Sequence, residues 1–170
     1  MVHQGRYTAA PDGEFVLFLI GMRINKPLRV RQWLPVFAAM RPMVAELREH
    51  PERGLLHAQF ALIGGCPAVV QYWRSFEALE RFARDPDDLH LPAWKRWNRL
   101  VRASGDVGIW HETYRVRAAE CETIYGNMPR FGLAAAFGHE PIDSTGQSAG
   151  KRIGARTEDE PALEPYENPV

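Results

Sequence analysis

The chain has 170 residues, which bounds it to about one domain with an extension, and 45% apolar and 11% aromatic residues are enough for a real core. Its 21 basic and 21 acidic residues cancel to a formal net charge of zero. That balance argues against a nucleic-acid or anionic-membrane partner, which would need a basic surface.

Two cysteines, Cys66 and Cys121, are too few for a disulfide framework and too far apart for a thiolate metal site. Free thiols, no metal and a reducing, cytoplasmic compartment are therefore expected. Residues 1–13 read as a flexible arm without the basic-then-apolar pattern of a secretion signal. The longest apolar run, Phe15 to Met22, is too short to cross a bilayer.

Phe15 to Ile20 reads as a buried strand. Trp33, Phe37, Met40, Val44 and Leu47 follow at spacings of three and four, a helical stripe over about 30–50. Pro35 fits the first turn, whereas Pro42 predicts a kink or a break. Leu55 to Ile63 and Ala68 to Trp73 form two strands around a Gly64-Gly65 turn. Ser75 is placed to cap a helix from Phe76 to about Arg84. A further helix is predicted from about Leu91 to Ala103, with Pro92 in its permissive first turn, and a last strand from Val107 to Val116.

The predicted order is β-α-β-β-α-α-β, a ferredoxin-like α+β unit with its second helix divided, over residues 14–138. Residues 139–170 have few large apolar residues and are expected to be a disordered tail. Phe15 to Ile20 does not alternate apolar with polar, as an antiparallel strand wetted on one face should. Either both sheet faces are covered, most simply by a second copy in a homodimer, or this is one hydrophobic strand in a monomer.

The chain has no Walker loop, dinucleotide fingerprint, paired-cysteine metal site or Gly-x-Ser-x-Gly elbow. Chemistry must come from scattered polar residues in an aromatic setting. His90, Trp94 and Asn98, four apart, form one helical stripe that would line a pocket for a flat ligand. The competing structural reading makes His90 a cap and Trp94 core. In the last strand, alternation puts His111 and Thr113 on one face and Trp110, Glu112 and Tyr114 on the other. Buried polar groups there need partners, which raises a functional reading above an interface pairing of Glu112 with Arg23 or Arg74. Gln71 and Trp73 share a face at the end of the third strand, as cleft roof or as plain core. Arg23 and Asn25, ending the first strand, are further substrate-binding candidates.

Several segments resemble one family: Met22-Arg23-Ile24-Asn25, Trp33-Leu34-Pro35-Val36-Phe37, Gln71-Tyr72-Trp73-Arg74-Ser75-Phe76-Glu77, His90-Leu91-Pro92-Ala93-Trp94, Gly108-Ile109-Trp110-His111-Glu112-Thr113-Tyr114 and Asn127-Met128-Pro129. This is a domain-of-unknown-function family related to the polyene-cleaving monooxygenase of fumagillin biosynthesis, within the dimeric α+β barrel group of antibiotic-biosynthesis monooxygenases. The resemblance spans about residues 15–137. It implies two ferredoxin-like units joined sheet to sheet, with a ligand cleft between helices and sheet in each subunit.

Three readings follow. One is a cofactor-independent monooxygenase of secondary metabolism acting on a small conjugated or electron-rich organic molecule, with His111 or His90 as base and Gln71 and Asn98 as donors. The second, which the resemblance implies because relatives in the wider barrel group hold haem against the same sheet, is a haem enzyme; His90, heading a predicted helix whose dipole favours its neutral form, would be the ligand. A non-catalytic ligand-binding dimer is the third.

Overall fold

The computed structural model describes residues 1–85, 94–95, 97–98, 104–165 and 168. The chain divides into two compact units, residues 16–115 and residues 1–15 with 116–170.

In the first unit, strands β2 (Glu14–Ile24), β3 (Leu55–Ile63), β4 (Cys66–Trp73) and β5 (Val107–Arg117) form a sheet in the order β3-β4-β2-β5. Helices α1 (Val30–Glu49) and α2 (Phe76–Arg84) connect them. This is the strand order of the ferredoxin-like split βαβ plan, as predicted. Ser75 caps α2 by accepting from the Ala78 amide at 3.2 Å. The helix predicted at Leu91–Ala103 lies mostly outside the described residues; Trp94, Lys95, Trp97 and Asn98 are helical.

Cross-strand pairs fix the two faces. Val16 opposes Trp73, Phe18 opposes Gln71 and Ile20 opposes Val69. These residues face α1 and α2, whose Val44, Leu47, Leu79 and Phe82 close a core with Val16, Ala58, Val69 and Trp73. Leu17 and Leu19 point the other way, opposite Tyr72 and Val70. They are half-buried, and neither α1 nor α2 packs on that face.

The first strand runs through Ile24, longer than predicted. α1 runs through Pro35 and continues unbroken through Pro42, where the sequence predicts a kink or a break. Pro42 removes a hydrogen bond to the carbonyl of Ala38. Both residues are exposed, so water can take that carbonyl instead.

His57 sits on the helix-free face, its ring 6.4 Å from that of Tyr72. Burial, then the charge of Arg48, hold its imidazole below the ordinary value, against a hydrogen bond to the Gln59 side chain. The unfolded chain therefore binds this proton more readily. The contribution of His57 is full above about pH 6.5 and declines as pH falls toward the lowered folded value. Denaturant unfolding at pH 7.5 and 5.5 should show a loss at the lower pH that His57→Gln reduces. The ring is partly solvated, so the effect should be modest. An unchanged pH difference in His57→Gln would assign the loss elsewhere.

In the second unit, β1 (His3–Ala9) pairs antiparallel with β6 (Tyr125–Met128) and β7 (His139–Pro141). Helix α3 (Leu133–Phe137) precedes β7, and a single turn, α4 (Ala149–Arg152), follows it. Ordered structure thus starts earlier and ends later than predicted: β1 occupies the expected arm, and β7 and α4 lie in the expected tail. The ties are backbone pairing and a few anchors that composition does not reveal. Ile142 is completely buried, and Arg152, itself buried, pairs with Glu122. From Ile153 to residue 165 there is no helix or strand.

Candidate active site

Between α1, the sheet and the helical residues Trp94 and Trp97 lies a cavity of about 900 Å³. This is at the upper end of the range for ligand sites, about 300–1,000 Å³. β2 supplies Ile20 and Met22, and α1 supplies Val36, Phe37, Met40 and Met43. Phe60 and Leu62 of β3 and Ile109 of β5 complete the apolar wall. Among the described residues Arg41 is the one charged residue along it.

The α1 stripe explains why the cavity lies where it does. Its C-terminal half, Val44 and Leu47, is buried in the core. Its N-terminal half turns to the cavity instead, so Phe37 stays 42% exposed and Phe60 across from it 52%. Large apolar side chains left this open mark a binding surface rather than a finished core. Methionines suit such a wall because three rotatable bonds let them fit irregular ligands.

Of the predicted site residues, Trp94 lines the cavity. It stacks on Trp97, also in the wall, with centroids 4.7 Å apart and planes at 20°. The Trp97 indole N–H is buried and finds no acceptor among the described residues. A buried donor left unpaired costs about 1–3 kcal/mol, which an oxygen atom of a bound ligand would relieve. Asn98 donates to the Trp94 carbonyl at 3.1 Å and is not in the wall. His90 lies outside the described residues.

Trp73 is core, fully buried, and donates to the Gln71 side-chain oxygen at 2.8 Å. Of its two predicted roles, roof and core, the structure places it in the second. His111 faces the helix side of the sheet, 5.7 Å from the Phe18 ring. It is exposed and sits two residues beyond Ile109 on the same face, about 7 Å along the strand.

Trp110 lies on the opposite face over Gly21, where a Cβ would come within 2.7 Å of its indole. Glu112 shares that face and accepts from the Tyr114 hydroxyl at 2.6 Å. This bond pushes the Tyr114 pKa up. The alternation predicted for this strand is therefore observed, but its polar residues are exposed rather than buried.

Arg23 and Asn25 flank Gly108. Asn25 ties two loops by donating to the Gly105 carbonyl at 3.0 Å. Next to it, Lys26 lies 2.6 Å from the buried Asp106, and its hydrogen bond holds that carboxyl below the usual range. These groups build the loops at this end of the sheet.

Sequence reasoning missed Met40 and Met43 as wall residues. The stripe signal was present, but apolar periodicity reads the same for a core and for a cavity wall. Among the described residues no group of three or more His, Cys, Asp and Glu side chains could hold a metal ion. Nor is any helix long and apolar enough to cross a membrane.

Residues 15–133 match the family described as Monooxygenase af470-like. Monooxygenase af470 of Aspergillus fumigatus is 30% identical over 125 residues, covering 68% of this chain. The chain spans only 43% of that relative's length. Among solved structures, a conserved Bacteroides thetaiotaomicron protein of unknown function, a possible oxidoreductase, has a TM-score of 0.44 at 11% identity, covering 62% of this chain and all of that one. A dimeric ferredoxin-like protein from Thermobifida fusca has a TM-score of 0.42 at 15% identity, covering 61% and 92%. SnoaB, a cofactor-independent oxygenase from Streptomyces nogalater, has a TM-score of 0.41 at 12% identity, covering 63% and 95%. The matched segment covers the entire sheet-and-cavity unit, and the chain belongs to the monooxygenase af470-like family.

Proposed function

We propose that the protein is a monooxygenase of secondary metabolism that acts on a small conjugated or electron-rich organic molecule without a tightly bound cofactor. The carrying observation is the apolar cavity of about 900 Å³ inside the segment that defines the family. Its walls offer a flat or extended molecule a largely nonpolar surface. In the simplest case an activated CH2 loses a proton, passes electrons to dioxygen, and ends as a carbonyl. One oxygen atom enters the product and the other leaves as water, so the substrate itself is the reductant.

His111 is the candidate base, on the cavity side of β5 just past Ile109. The Trp94–Trp97 stack is a surface for the substrate ring, and the Trp97 N–H a donor for its oxygen. The working form is a homodimer in the cytoplasm, with the helix-free face carrying Leu17, Leu19, Val70 and Tyr72 as the interface. Those half-buried apolar side chains suit a second sheet better than water.

The haem alternative would need His90 as ligand, because the described wall contains no histidine, cysteine or tyrosine; nothing favours it. Purified protein should consume dioxygen only when an electron-rich carbon acid is added, and should show no Soret band. A Soret band that His90→Ala removes would overturn the cofactor-free reading. Binding of such substrates without oxygen uptake would leave a ligand-binding dimer.

A further inference from the structure

Behind the main cavity the same unit contains a second, much smaller space of about 40 Å³. Phe18 of β2, Val44 and Leu47 of α1, and Leu79 and Phe82 of α2 enclose it. Ile20, Met40 and Met43 line both spaces and so form the partition between them. Among the described residues Gln71 is the one polar side chain in its wall. We propose that this inner chamber is a holding site for dioxygen beside the organic substrate; as a co-substrate site it rests on the monooxygenase reading.

Size narrows the occupant first. The chamber exceeds the roughly 10–15 Å³ that one water needs, and is far too small for an organic substrate. Polarity then decides between water and a gas. A buried water needs about two to four polar partners to be held. Among the described residues only the Gln71 amide is on offer, and its oxygen already accepts the Trp73 indole N–H at 2.8 Å. Water would give up most of its hydrogen bonds to enter. An apolar diatomic gives up none, and it gains contact with aliphatic and aromatic walls in a space that would otherwise be empty. Met40 and Met43 are the pliable part of the partition, since thioether chains change rotamer more readily than branched ones. The gas therefore has a short path to the face of the bound substrate, and the passage does not require the sheet to open.

The chamber can be probed without substrate. Dioxygen is paramagnetic and speeds the relaxation of nearby methyl protons. In protein equilibrated under dioxygen pressure, the methyls of Val44, Leu47 and Leu79 should relax several-fold faster than those of Ile142. Ile142 is equally well buried but lies in the other unit, so it controls for burial alone. Ala83→Leu, which puts bulk into the chamber wall, should abolish the difference in folded protein. It should also raise KM for dioxygen several-fold and leave KM for the organic substrate unchanged. Equal enhancement at Ile142 and at the chamber methyls would overturn the proposal in the native protein, whether or not the variant folds. So would an ordered water found in the chamber. Turnover without chamber enhancement defeats the chamber and leaves the monooxygenase reading standing. Chamber enhancement without oxidation of any substrate supports the gas site and defeats that reading.

Discussion

Phe18→Asp should unfold the sheet-and-cavity unit. Phe18 packs against the buried core and touches the His111 ring across the sheet. Phe18 is partly buried, so its removal should cost toward the lower end of the about 3–5 kcal/mol of a fully buried phenylalanine, and an unpaired carboxylate in its place adds a desolvation penalty. That approaches the whole stability of an ordinary domain, about 5–15 kcal/mol. Leu17→Asp, one residue away, should behave differently. Leu17 faces away from α1 and α2, opposite Tyr72, so the new charge would sit at the proposed interface. The expected product is a folded monomer. Thermal unfolding by circular dichroism with light scattering separates the cases: Phe18→Asp loses the folded signal, Leu17→Asp loses half the mass. A Leu17→Asp protein that keeps the native mass would remove this face from the interface.

His111→Ala should abolish most turnover while leaving the fold and substrate affinity intact. A positioned base contributes about 10²–10⁴-fold to the rate, and imidazole suits proton abstraction near neutral pH. The side chain is exposed and makes one ring contact, with Phe18, so its removal leaves no cavity in the core. Steady-state kinetics should show the loss in kcat with the dissociation constant of the substrate unchanged. Turnover at the native rate in His111→Ala would make the residue structural and move the search for the base to His90.

The fold was largely legible because each element left a local mark. The unalternating Phe15–Ile20 run, the Gly64-Gly65 turn and the Ser75 cap each predicted the element found there. The first-strand pattern also marked two nonpolar faces. What stayed hidden were features set by other parts of the chain. Pro42 does not break α1 because of which side it faces. β1 depends on strands more than a hundred residues away, paired through backbone groups that carry no sequence signal.

The candidate site was legible mainly in Trp94. Trp73 and Gln71 looked equally good in sequence, but strand alternation cannot say whether an inward face meets a cavity or a packed helix. Phe37 and Met40 belong to the α1 stripe, whose periodicity reads the same for a core and for a cavity wall. Only the packing of α1, tight at Leu47 and open at Phe37, separates the two.

The central claim, that the cavity houses a monooxygenase reaction driven by the substrate itself, is tested most directly by isotope. Purified protein free of added cofactor is supplied with an oxidisable electron-rich substrate under 18O2, and the product and water are analysed by mass spectrometry. One labelled oxygen atom per product molecule, with the second recovered in water, is the expected result. Product oxygen drawn from unlabelled water, or product formed without consumption of dioxygen, would contradict it.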